Sequence, residues 1–216
     1  MRKIIFLALL FCSCSAVFSQ EVEHTSGPGN LSGENTQLSI DVLYNNPKAI
    51  IVAIPLDETK KLLKYPVGVW NNGVNCYIFN EDRSPMIAGI KFKVIYSLQT
   101  DSAHFLFQAL DKTIKGDVAY IDRPVLNNNP NAVILGSMSE NPSGVYNRSE
   151  IAFKYDEQEQ KWFVYNVNKT PIPKDLGIYI IVQKPAAIVK TKMQITKDIL
   201  PQVIRPILKT DSLVSS

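Results

Sequence analysis

Short apolar runs separated by polar turns dominate the chain, and no long segment carries a convincing 3.6-residue apolar period. Ala49–Ile54 and Ala132–Leu135 are each launched from an Asn-Pro turn, where proline fixes φ and no ladder donor is needed. Val67–Trp70 and Ile151–Tyr155 are bounded segments of β-branched and aromatic residues. Cys76–Phe79 and Trp162–Tyr165 are apolar at successive positions, the pattern of a strand covered on both faces. Asn71-Asn72-Gly73 predicts a tight turn joining the strands on either side into a hairpin. Phe92–Ile95 and Ile178–Val182 add two more β-branched runs. Leu56–Leu63 has room for a helical turn or two. The reading is all-β.

These runs repeat. Asn45-Asn46-Pro47-Lys48-Ala49-Ile50-Ile51-Val52 aligns with Asn128-Asn129-Pro130-Asn131-Ala132-Val133-Ile134-Leu135, and Gly33 falls on Gly116 in the same frame. Further on, Val67-Gly68-Val69 aligns with Ile151-Ala152-Phe153. Cys76-Tyr77-Ile78-Phe79-Asn80 then aligns with Trp162-Phe163-Val164-Tyr165-Asn166. The offset grows only in small steps, as loop insertions in a true duplication require. His24 and His104 are read as occupying comparable places near the start of each unit. The expected organisation is a leader over 1–19, one small β-sandwich or barrel over 20–100, a second over 101–183 and a basic tail over 184–216.

The 216 residues are 45% hydrophobic and 20% charged, an ordinary globular composition. Arg2 and Lys3, the apolar stretch Ile4–Cys12 and the small residues Val17 and Ser19 before Gln20 have the grammar of a cleaved export signal. A second reading places a lipid anchor at Cys14, with Phe11 a poor −3 residue for that signal. Removing the leader takes the formal charge from +3 to +1, a balance with no general attraction for nucleic acid. It also leaves Cys76 as the single cysteine, read as a small buried hydrophobe. The tail carries five Lys and Arg205 against Asp198 and Asp211, a charge asymmetry of the kind that docks on acidic partners or stays solvated.

The motifs His104, Tyr120-Ile121-Asp122, Asn129-Pro130-Asn131-Ala132, Gly144-Val145-Tyr146-Asn147 and Trp162 resemble an uncharacterised bacterial domain that recurs in tandem in exported proteins. The first unit contributes Pro66-Val67-Gly68-Val69-Trp70 and Ile78-Phe79-Asn80-Glu81-Asp82, and departs in Cys76 and Lys48. The resemblance spans most of residues 24 to 182. It implies an extracellular β-rich module and carries no activity with it.

No nucleophile elbow, phosphate loop or dinucleotide fingerprint occurs, and no cofactor or clustered metal ligands are expected. The leading expectation is recognition or assembly outside the cytoplasm, with a glycan or an envelope protein as partner. Trp70 and Tyr146 are candidate ligand aromatics, because rigid rings bury area at little entropic cost. Asn45, Asn46, Asn128 and Asn129 are candidate polar contacts, with turn formation as the competing role. A polymer hydrolase drawing on Asp41, Glu81, Asp82, Asp122 or Asp156 is the alternative, followed by a purely structural matrix component.

Overall fold

The computed structural model describes residues 19–183, so the leader and the basic tail lie outside the described residues. Fourteen strands form between them: β1 Gln20–Thr25, β2 Leu31–Ser32, β3 Asn35–Gln37, β4 Ile50–Pro55, β5 Val67–Asn71, β6 Cys76–Asn80, β7 Lys91–Ser97, β8 His104–Gln108, β9 Ile114–Lys115, β10 Val118–Ile121, β11 Val133–Ser139, β12 Ile151–Asp156, β13 Lys161–Asn166 and β14 Gly177–Gln183. One helical turn, α1 Asp57–Lys60, follows β4. The described residues make two tandem β domains of seven strands each.

Strand register demonstrates the duplication. The pair Ile50↔Ser97 recurs as Val133↔Gln183, Asn35↔Phe79 as Val118↔Tyr165, and Val67↔Asn80 as Ile151↔Asn166. Turn chemistry recurs with it. Asn45 and Asn128 take φ of 56° and 58°, and Gly33 and Gly116 take 58° and 65°. Asn80 donates to the carbonyls of Ser84 and Pro85, and Asn166 donates to Thr170 Oγ1 and the Pro171 carbonyl. The histidines do not correspond. β1 pairs His24 with Phe92 of β7, and the matching β14 position, Ile178, pairs with Phe107 of β8. Phe107 is therefore the counterpart of His24. Both residues begin a unit, but their frames differ by three residues.

Each repeat splits its strands three and four, in the orders β1-β7-β4 with β2-β3-β6-β5, and β8-β14-β11 with β9-β10-β13-β12. The repeats then join. β5 pairs in parallel with β11 through Gly68↔Met138 and Val69↔Ser139, giving one seven-stranded sheet, β2-β3-β6-β5-β11-β14-β8. That sheet serves both cores, one on each face. Tyr179 and Ile181 of β14 pack with Val69, Ile78, Val52 and Phe92, whereas Ile178, Ile180 and Val182 pack with Phe105, Ile121 and Val164. Covering on both faces explains the unbroken apolar run of β14. The edge of β4 is closed differently. Ser137 Oγ accepts from Ala53 N–H at 2.9 Å and donates to the Ala53 carbonyl at 3.0 Å, and Pro55 offers no N–H.

β13 departs from the expectation of a strand covered on both faces. Val164 is fully buried, but Phe163 and Tyr165 point outward and are half-buried. Phe163 and Tyr165 lie 5.9 Å apart, and Tyr120 lies 5.6 Å from Phe163. The aromatic content there belongs to an outer face rather than to the core.

Candidate functional site

The β5–β6 hairpin is closed by Asn72, whose Oδ1 accepts from the N–H groups of Val74 and Asn75 at 2.9 and 2.8 Å. This turn sets the register Trp70↔Tyr77, and β3 adds Gln37 opposite Tyr77. Directly opposed residues share a face, so Gln37, Tyr77 and Trp70 form one row across the outside of the sheet. The two rings stack at 5.3 Å with planes 27° apart, and both are half-buried. Gln37 donates to Asn75 Oδ1 at 3.1 Å and fixes an amide at the end of the row.

The next row on that face, Asn35–Phe79–Gly68, receives a loop from the second repeat. Tyr146 meets Phe79 edge-on at 5.4 Å and donates its hydroxyl to Glu140 Oε1 at 3.0 Å. Arg83 lies over the Tyr146 ring at 5.0 Å and reaches Glu34 at 3.4 Å. Burial, then the Glu140 contact, pushes the Tyr146 hydroxyl up to about 12, so it remains a donor at neutral pH. The result is a strip of three half-buried rings, Trp70, Tyr77 and Tyr146, with Phe79 buried against Tyr146, an amide at one end and charged groups at the other.

Glu81 holds this loop from beneath and is 1% exposed. Its Oε2 accepts from the Asn147 N–H at 2.7 Å, while its buried Oε1 has no partner among the described residues. Burial pushes the carboxyl up to about 8, against the Asn147 hydrogen bond that lowers it and with a smaller push from Glu140. Room for this side chain depends on Gly68. A Cβ there would strike both Glu81 Oε1 and the Phe79 ring. Asn147 also donates to Asn166 Oδ1 at 2.8 Å, tying the loop to its own repeat.

Trp70 and Tyr146 thus meet on one face through Tyr77 and Phe79, neighbours on β6. The four asparagines do not join them. Asn45 and Asn128 are the left-handed turn residues, and each donates its backbone N–H to a neighbouring hairpin turn, to Val74 O between β5 and β6 and to Gln160 O between β12 and β13. Asn46 bonds the Leu98 carbonyl, and Asn129 bonds the Val125 carbonyl while its own carbonyl receives Trp162 Nε1 at 2.9 Å. The other carboxylates act separately. Asp122 takes Lys161 and Asn127, Asp156 takes the Tyr120 hydroxyl, and Asp82 takes the Ser84 N–H and hydroxyl. Asp41 is exposed at a 3-10 turn.

Among the described residues no group of three metal-ligating side chains occurs. His24 bonds Thr36 Oγ1 at 2.8 Å, and buried His104 bonds Asp101 at 2.9 Å. Cys76 is buried, and burial raises its thiol to about 12. Sequence reasoning passed over Gln37, Arg83 and Glu140, and read Tyr77 as a strand aromatic packed in the core. The available signal was that Tyr77 precedes Ile78 and faces away from it in a period-two strand.

A family model described as Domain of unknown function (DUF7452) matches the chain twice, over residues 13–96 and 77–182. No curated protein and no solved structure matches.

Proposed function

We propose that this chain, which belongs to the DUF7452 family, is an exported, non-enzymatic recognition protein that binds a glycan on the strip formed by Trp70, Tyr77 and Tyr146. The observation that carries this reading is the half-buried Trp70–Tyr77 stack on the outer face of the sheet, with polar side chains at both ends. A pyranose ring presents apolar C–H faces and equatorial hydroxyls. Flat rings flanked by an amide, a guanidinium and carboxylates suit both. A rigid strand platform also loses little entropy on binding. Export is supported by the basic-apolar-small pattern of residues 1–19 and by the resemblance to an exported bacterial domain. The carboxylate most displaced from its ordinary value, Glu81, is sealed beneath the loop, which favours binding over hydrolysis at this face.

The test is co-sedimentation of the purified protein with a panel of insoluble polysaccharides, with soluble fragments followed by tryptophan fluorescence. Saturable capture without turnover is expected for at least one polysaccharide. Trp70→Ala should weaken that capture by about 2 kcal/mol, roughly thirty-fold in Kd, with the unfolding midpoint held. Capture of no polysaccharide, or capture indifferent to Trp70→Ala, overturns the assignment. Capture by envelope protein alone would move recognition to a protein partner.

A further inference from the structure

A cleft of about 550 Å³ opens between the repeats, walled by Ile54, Pro55 and Leu63 on one side and by Ile151 on the other. Two strand edges run into it. β5 pairs with β11 only at Met138 and Ser139, so among the described residues β11 has no strand partner on that side at Gly136 and Ser137, which line the cleft. Among the described residues β12 is the outermost strand of its sheet, and it begins in the same cleft at Ile151.

The fold itself shows what such an edge accepts. β12 is the counterpart of β5 by register, and on β5 the same edge takes β11 as a parallel partner. Glu140 N–H completes that junction on the Val69 carbonyl at 3.2 Å. A second copy of the chain is a poor donor of the matching strand. The counterpart of β11 is β4, whose Ala53 groups are bonded to Ser137 and whose Pro55 lacks an N–H. Charge narrows the occupant further. Lys64 and Arg148 line the cleft and Lys154 projects from β12, and none has an ion pair among the described residues. Lys60 is neutralised by Glu150 at 2.9 Å, which leaves Asp57 as the acidic group in the lining without such a pairing.

We propose that the β12 edge accepts one extended peptide strand from another protein, parallel to β12, whose carboxylates meet Lys64, Arg148 and Lys154. Strand addition of this kind draws affinity from main-chain hydrogen bonds and selectivity from side chains at alternate positions. Six residues of edge span about 20 Å, and the apolar wall at the cleft end receives one side chain of the incoming strand. The peptide site and the aromatic strip are separate, and neither reading depends on the other.

The probe is a fluorescent nine-residue peptide alternating Asp with Thr and Val, bound to the intact protein and read by anisotropy. Two further probes carry N-methyl groups on one or the other set of alternate amides, and a fourth replaces Asp by Lys. Saturable binding of the acidic probe is expected, roughly tenfold tighter than that of the Lys probe. One methylated probe should fail while the other binds, because only one set of amides faces the edge. Lys64→Glu with Arg148→Glu should weaken binding roughly tenfold, and Trp70→Ala should leave it unchanged. Amide exchange should slow over Ile151–Asp156. Equal binding of both methylated probes, protection confined to other strands, or no saturable binding at millimolar probe overturns the proposal. So does a protein dimer that protects Ile151–Asp156 without the probe.

Discussion

Glu81 offers a test of the packing between the repeats that needs no ligand. Burial moves its carboxyl from an ordinary 4.5 to about 8, so the folded chain holds a proton that the unfolded chain releases. Between those two values the unfolded state binds fewer protons than the folded one. Stability therefore falls as pH rises through the window, and the contribution is complete only below about 4.5. At about 1.4 kcal/mol per unit the loss is roughly 5 kcal/mol across the window, with some 3 kcal/mol gone by pH 7. Water entering as the Gly144–Ser149 loop loosens makes this an upper value. The assay is urea unfolding at pH 5, 7 and 8.5 for the parent and for Glu81→Gln. With a slope of about 2 kcal/mol per molar, the parent midpoint should drop by up to roughly 2 M.

Glu81→Gln keeps the acceptor for Asn147 and removes the titration. Its amide N–H groups meet no acceptor at the Oε1 position, a pH-independent cost of about 1–3 kcal/mol. The variant should thus be the weaker protein at pH 5 and the stronger one at pH 8.5. Lowered by burial, the His24 pKa contributes a slope of opposite sign below about 6.5. That slope is common to both proteins and cancels in their difference. Parallel pH profiles for parent and variant would refute a buried neutral carboxyl at this interface.

Three further outcomes follow from packing. Gly68→Ala drives a Cβ into Glu81 Oε1 and the Phe79 ring, and should cost about 1–3 kcal/mol in a denaturant titration; a change within experimental scatter would mean that the loop simply lifts. Trp162→Ala should cost about 2–4 kcal/mol, since the ring is only half-buried at the rim of the second core, whereas Trp162→Phe should lose about 1 kcal/mol through the missing bond to Asn129. Cys76 should stay unmodified by thiol reagents in the native protein and react fully in urea, followed by mass spectrometry of its peptide. Rapid native labelling would contradict its burial between β3 and β5.

The duplication and most strands could be read from residue types, because both are local. Asn-Pro turns, the Asn71–Gly73 turn and the β-branched runs fall where β4, β11, the β5–β6 hairpin, β7 and β14 lie. What could not be read is the parallel contact between β5 and β11, two strands whose paired residues are 70 positions apart. No turn residue marks a pairing of that kind, and it is what brings Tyr146 to Phe79 and Asn147 to Glu81. Facing was equally hidden in β6 and β13. When aromatics occupy both faces, alternation disappears, so outward Tyr77 and Phe163 look like core residues. Trp70 and Tyr146 stood out because each adjoins a turn, and turns lie at the surface.

The join also explains why equivalent positions have diverged. Gly68 and Ala152 match in register, but only Gly68 lies beneath a loop from the neighbouring repeat. Glu81 matches Val167, which is 51% exposed, because no loop covers the second repeat at that point among the described residues. Trp70 matches Lys154, so the stacked pair of the first repeat is replaced by a charge beside Phe163. Cys76 matches Trp162: the larger ring reaches the Asn129 carbonyl, whereas in the first repeat Asn71 Nδ2 donates to the equivalent Asn46 carbonyl at 2.9 Å. The first two of these differences follow from what the second repeat places over the first and nothing described places over the second. The aromatic strip is accordingly a property of the pair: one repeat supplies Trp70, Tyr77 and Phe79, the other supplies Tyr146 and Glu140, and the Glu81–Asn147 bond holds the two contributions together.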